Sequence, residues 1–104
     1  MQITVHLLAF GEDVPIPTRI VDIPDSEIAP LYNDPDEDRR HLLERAFYYG
    51  QNDFQNKPIR SVSCGDVIEL LDGSLHKVLG IGFETLPDGT DLNTLPRGVR
   101  ASIC

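Results

Sequence analysis

The sequence predicts an α+β domain in which one main helix packs on a small, curled antiparallel β-sheet, a sheet bent in the manner of a partial barrel. Three observations predict it. Apolar residues alternate with period two at the N-terminus, one segment in the middle carries both helix start and helix stop signals, and a second β region folds back on itself around Asp72-Gly73. The length of 104 residues suits one such domain.

Ile3, Val5, Leu7 and Ala9 alternate with Thr4, His6, Leu8 and Phe10, which predicts an N-terminal strand. Gly11-Glu12-Asp13 breaks it, and Pro15 and Pro17 forbid a regular ladder. Arg19 to Ile23 resume β character before Pro24, so the two strands pair through a long, proline-stiffened loop. Between Pro24 and Pro30, Asp25-Ser26-Glu27 supports at most one helical turn. The main helix follows. Asp34 caps it, Pro35 takes its first position, Glu37 stands where a capping box wants it, and the helix runs to about Tyr49 with Gly50 ending it. Leu43, Ala46, Phe47 and Gly50 form the face that packs on the sheet. Asp36 with Arg40 and Arg40 with Glu44 add i,i+4 pairs of about 0.2 to 0.5 kcal/mol each.

A polar loop from Gln51 to Pro58 leads to the second β region: Arg60 to Cys64, the break at Gly65-Asp66, then Val67 to Leu71. Asp72-Gly73 predicts a tight two-residue hairpin turn of type I′, with a return strand from Leu75 through Phe83 that Gly80 and Gly82 interrupt with a bulge or bend. Beyond Leu86 the pattern is lost. The expected organisation is therefore a compact domain over 1–86 and a loose C-terminal tail over 87–104.

Nine Lys and Arg against 17 Asp and Glu give a formal charge of −8, the wrong sign for general nucleic-acid binding through phosphate contacts. The longest apolar run, Leu7 to Phe10, falls far short of the roughly 20 residues of a membrane span, and Met1 to His6 lack the features of a secretory signal. A cytoplasmic location without membrane contact is the expectation. Cys64 and Cys104 stand 40 positions apart and make neither a disulfide framework nor a metal knuckle, so reduced thiols are expected.

Cys64 and His76, with Asp72 orienting the imidazole, could form a nucleophilic pair. The plainer expectation is a small buried hydrophobe at Cys64 and a solvent-facing imidazole beside Lys77, so no catalytic residue is assigned. His6, His41, His76 and Cys64 share no short spacing, which leaves neither a metal site nor a cofactor to expect. Gly80 and Gly82 lack the following helix or lysine of a phosphate loop. Seven acidic residues, Asp22, Asp25, Glu27, Asp34, Asp36, Glu37 and Asp38, occupy a stretch with no basic residue. The last four suit a helix N-terminus, whereas Asp22, Asp25 and Glu27 do not have that explanation. After the helix come two tyrosines and a cluster of amides. Tyr48, Tyr49, Gln51, Asn52, Asp53 and Gln55 offer contact area and adaptable hydrogen bonding that suit a binding site, and a helix C-terminal cap is the simpler use of the same groups.

The run Gly50-Gln51-Asn52-Asp53-Phe54-Gln55 is followed by Ser61-Val62-Ser63-Cys64-Gly65-Asp66-Val67-Ile68 and by Gly82-Phe83. This pattern, over about residues 40 to 84, resembles a group of small bacterial, phage and mobile-element proteins and is similar to the corresponding stretch of YodL-like domains. In that group the second motif usually reads Ser-Val-Ser-Val-Gly-Asp-Val, with Val in place of Cys64. The resemblance implies a recurrent compact α+β domain and an ordinary buried site at Cys64, and it brings no catalytic residue with it. The expected function is a small non-enzymatic binding or regulatory module, with a protein or small-molecule partner, acting through the loop after the main helix. The alternative is an acidic inhibitor or nucleic-acid mimic that engages a basic partner surface through the seven acidic residues.

Overall fold

The computed structural model describes residues 1–9, 11, 15–28, 34–51, 61–98 and 100–101. Five strands, β1 (Gln2–His6), β2 (Thr18–Asp22), β3 (Val67–Glu69), β4 (Leu75–Val78) and β5 (Phe83–Thr85), form one sheet in the order β2-β1-β3-β4-β5. Every neighbouring pair is antiparallel, and the sheet is open, not closed into a barrel. A single turn, α1 (Asp25–Ile28), and the main helix, α2 (Pro35–Tyr49), complete the α+β arrangement.

The register sorts the side chains into two faces. Arg19, Val5, Ile68, His76 and Thr85 stand in one row across the five strands. On that face Ile3, Val5, Val21, Ile68 and Val78 pack with Leu43 and Ala46 of α2 to make the larger core. Val67 and Leu75, one residue out of phase, point the other way and join Leu8, Leu86, Leu92, Leu95 and Ala101 in a second apolar cluster. The described part of the segment after Leu86 is therefore docked, in contrast to the loose tail expected over 87–104. Gly98 N donates to Leu8 O at 2.8 Å, and Ala9 bridges Gly98 in parallel. These apolar residues lie on irregular chain, so they have no period by which they could be recognised.

Helix α2 has the predicted bounds. The Asp34 carboxylate accepts from the N–H groups of Asp36 (3.0 Å) and Glu37 (3.4 Å), as an N-cap should. The packed face is rotated from the expected one: Leu43, Ala46 and Gly50 are buried, but Phe47 is 37% exposed, and Leu42 and Tyr49 flank the core instead. Arg40 pairs with Glu44 at 3.6 Å as expected and with Glu37 at 3.8 Å, where Asp36 had been expected.

Both hairpin expectations need correction. Glu69 pairs Leu75, Leu70 N donates to Ser74 O (3.0 Å), and Gly73 N donates to Leu70 O (2.9 Å), so the β3–β4 connection has three residues, Leu71-Asp72-Gly73. Gly73, at φ 85°, supplies the left-handed position of that longer form, which replaces the predicted type I′ turn. The expected strand from Leu75 through Phe83 is two strands, because Leu79 to Gly82 turn the chain and Leu79 N donates to Gly82 O at 3.1 Å. Ser61 to Cys64, expected as strand, are irregular, and Arg60 lies outside the described residues.

Candidate functional site

Two clusters of polar side chains are built around α2. The first lies at its C-terminal half. Glu27, at the end of α1, accepts the Tyr49 hydroxyl on Oε1 (3.0 Å) and faces Arg45 Nη1 through Oε2 (3.7 Å), while its backbone oxygen meets His41 Nε2 at 2.5 Å. Partial burial, then the Glu27 carboxylate, pushes the Tyr49 phenol above its usual value of 10.0. Tyr49 also meets Tyr48 edge to face, with ring centroids 5.0 Å apart, and the Arg45 guanidinium lies 5.1 Å from the centre of the Tyr48 ring. Tyr48 remains 45% exposed and sits beside the exposed Phe47. The result is an aromatic pair presented on a helix whose far side is fixed to the sheet.

Gln51 belongs to this end, but its amide is already used. Nε2 donates to Phe47 O at 2.9 Å and to Val62 O at 3.1 Å, closing the helix C-terminus and tying it to the chain that enters β3. Gly50 is needed here for space. Its φ of −76° is one any residue adopts, but a Cβ would lie 2.4 Å from Val62 Cγ2 and 2.9 Å from Ala46 O. Asn52, Asp53 and Gln55, the other loop residues expected to bind, lie outside the described residues.

The second cluster surrounds His76, which is fully buried and so differs from the solvent-facing imidazole expected on a hairpin. Nε2 lies 2.8 Å from Ser74 Oγ, Nδ1 lies 3.0 Å from Thr85 Oγ1, and Ser74 Oγ donates to Asp72 Oδ1 at 2.5 Å. The bonds from Ser74 hold the Asp72 carboxyl below its ordinary 3.8, so it is an acceptor only at neutral pH. The single Ser74 proton therefore goes to Asp72. His76 must then donate from Nε2 to Ser74 and accept from the Thr85 hydroxyl at Nδ1. This order is the reverse of an activated serine, whose proton must point at the imidazole. Burial, and next the Arg39 charge, hold the imidazole below 6.5, with Asp72 opposing them. Arg39 Nη2 stands 3.7 Å from Asp72 Oδ2.

Cys64 does not meet these requirements for a nucleophile either. It is disulfide-bonded, so the reduced thiol expected at this position is not found. The chain's other cysteine, Cys104, lies outside the described residues. Among the described residues no group of three or more His, Cys, Asp or Glu is placed to hold a metal ion, and no helix is long and apolar enough to cross a membrane.

The acidic stretch is partly committed within the chain. Asp34 caps α2, Glu37 faces Arg40, Glu27 serves Arg45 and Tyr49, and Asp25 lies 3.5 Å from the N-terminal ammonium. Asp22 is exposed on β2, Asp36 is exposed in the first turn of α2, and Asp38 is half-buried there.

Asp66, expected only as part of a break between β segments, has a larger part in the fold. Asp66 is fully buried: Oδ1 accepts from Ala9 N (2.9 Å) and Oδ2 from Ser63 N (2.8 Å). Its backbone accepts from Val78 N at 2.9 Å, so one residue joins the chain that follows β1, the turn before β3, and β4. The signal was the Ser63-to-Asp66 spacing, which suits a side chain folding back on its own turn. No family model matches this chain, and neither a curated protein nor a solved structure shows significant similarity to it.

Proposed function

We propose that this protein is a non-enzymatic binding module whose contact surface is the C-terminal end of α2, with Tyr48 and Phe47 as anchors and a protein as partner. The observation that supports this reading is the exposure of two large aromatic side chains, Phe47 and Tyr48, in the last turn of a helix that is packed on the sheet and capped. Tyrosine and arginine are enriched among the residues that dominate binding energy, and Tyr48 is already held by Tyr49 and Arg45, so little side-chain freedom is lost on contact. Gln51 supports this surface from behind. Within this reading the loop after the helix supplies flanking contacts.

The reading is tested by installing a photo-crosslinking amino acid at Phe47, identifying the protein it captures in the native cell extract, and measuring affinities with purified partner. Tyr48→Ala should weaken binding by about tenfold or more while leaving the unfolding midpoint in place. Full affinity in the Tyr48→Ala, Phe47→Ala double variant would refute it.

A further inference from the structure

At the opposite side of the helix a cleft of about 540 Å³ separates α2 from the outer edge of the sheet, with Arg39, Arg40 and Leu43 on one wall and Ile81, Phe83 and Thr85 on the other. Leu79 N bonds Gly82 O, and Leu86 N bonds Leu75 O. Antiparallel pairs alternate between bonded and non-bonded, so Lys77–Glu84 is the bonded pair between them, and the N–H and C=O of Phe83 and Thr85 point outward. Among the described residues no strand pairs with that edge. An unpaired edge facing a helix across an open cleft is an arrangement into which an extended peptide can add as a further strand.

We propose that this edge accepts an extended segment of a partner protein as a sixth strand, apolar on its inner face and carrying Lys or Arg opposite Glu84. The chemistry of the two faces selects that occupant. On the inner side Arg39 is matched by Asp72, and Arg40 by Glu37 and Glu44, leaving the half-buried Phe83 and the 95%-exposed Ile81 as the apolar groups a new side chain can cover, with the exposed Asp36 at the rim. On the outer side Glu84 is exposed, and the formal charge of −8 draws basic segments toward the molecule. A second copy of this chain is a poor occupant in the central register. Pairing Phe83 with Thr85 of the copy sets the two Glu84 carboxylates directly opposite at a non-bonded position, where side chains are closest. This site is independent of the aromatic surface at the other end of α2.

The test is selection of random displayed heptapeptides on the full chain, followed by hydrogen exchange of the chain with the enriched peptides. Alternating apolar and Lys/Arg sequences, with exchange slowed at the Phe83 and Thr85 amides, are expected. Glu84→Lys should weaken those peptides about three- to tenfold. Thr85→Pro, which removes an outward N–H, should abolish binding, whereas Thr85→Val, which also loses the hydroxyl on His76 but keeps the N–H, should retain it. Amide exchange on the unaltered chain decides the matter should the proline variant fail to fold. No enrichment, enriched peptides that alternate with Asp or Glu, or protection elsewhere than Phe83 and Thr85 would each overturn the proposal, as would a dimer that protects these two amides without peptide.

Discussion

Replacing Gly50 by alanine sets two effects of opposite sign against each other, and the structure says which wins. At φ −76° alanine is conformationally welcome, and by restricting the unfolded chain it should stabilise by about 0.4 to 1 kcal/mol. Against this, the new Cβ would lie 2.4 Å from Val62 Cγ2, 3.2 Å from Val62 Cβ and 2.9 Å from Ala46 O. Val62 is 2% exposed, and its N–H is bonded to Gly50 O at 3.1 Å, so it cannot swing into solvent without giving up packing and a hydrogen bond. Overpacking of this kind costs about 1 to 3 kcal/mol, which leaves Gly50→Ala destabilised by about 0.5 to 2 kcal/mol. Urea unfolding of Gly50→Ala, Val62→Ala and the double variant measures the balance. The double variant should be more stable than the sum of the two single effects, by about 1 kcal/mol or more, because Val62→Ala removes the methyl that the new Cβ meets. Rescue should stay incomplete, since Ala46 O is backbone and remains. A Gly50→Ala protein more stable than the wild type, with an unchanged denaturant slope, would refute the close-approach argument.

Gln51→Ala removes both amide bonds at the helix end and should lower stability by about 1 to 2 kcal/mol in urea unfolding while leaving partner affinity within twofold. Asp34→Ala should cost about 1 kcal/mol through loss of the N-cap, read in the same assay. The imidazole of His76 is held below 6.5, so the unfolded chain takes up a proton at a pH where the folded one resists it. Stability should therefore fall as pH drops below about 6.5, levelling once the lowered folded value is passed; Asp72 adds a fall of the same sign below 3.8, and His76→Gln should lose the upper component only. Dithiothreitol should lower the unfolding midpoint, since the disulfide at Cys64 constrains the unfolded chain by about 2 to 4 kcal/mol.

The legible parts of this fold are those where a local rule and the tertiary arrangement coincide. Asp34 and Pro35 mark the start of α2 through bonds made within one turn, so the helix could be placed from residues that touch each other. The same holds for the β1–β2 pair, whose alternation is read directly as one buried face. The burial of His76 is masked in the sequence by the neighbouring Lys77, although the period of two puts the imidazole on the face of Val78. The exposure of Phe47 is hidden for a related reason: a helix of this length has room for two adjoining stripes, and what lies opposite decides between them. The docking of Leu92, Leu95 and Ala101 could not be read at all, because irregular chain buries apolar groups without repeating them. Gln51 has the chemistry of an adaptable contact, and in the structure its amide closes the helix C-terminus, the simpler of the two uses its position suggests.

The motif over residues 61 to 68 changes meaning once Asp66 is placed. Serine, glycine and aspartate at these spacings invite a functional reading, yet each has a structural task. Asp66 takes the Ser63 N–H on one oxygen and the Ala9 N–H on the other, and Gly65, at φ 98°, allows the chain to turn tightly enough for the side chain to reach back. Gly65 N then bonds Val78 O at 2.8 Å, closing the turn onto β4. A carboxylate is required because both partners are donors. Asparagine in its place would turn an NH₂ group toward one of the two N–H groups and leave a buried donor unmatched, at a cost of about 1 to 3 kcal/mol. The same turn delivers the chain into β3 and holds the segment after β1, where Leu8 packs in the second core. The Ser, Gly and Asp of this segment are therefore accounted for by the demands of the fold, which is why the proposed contacts are sought on exposed surfaces and not in this turn.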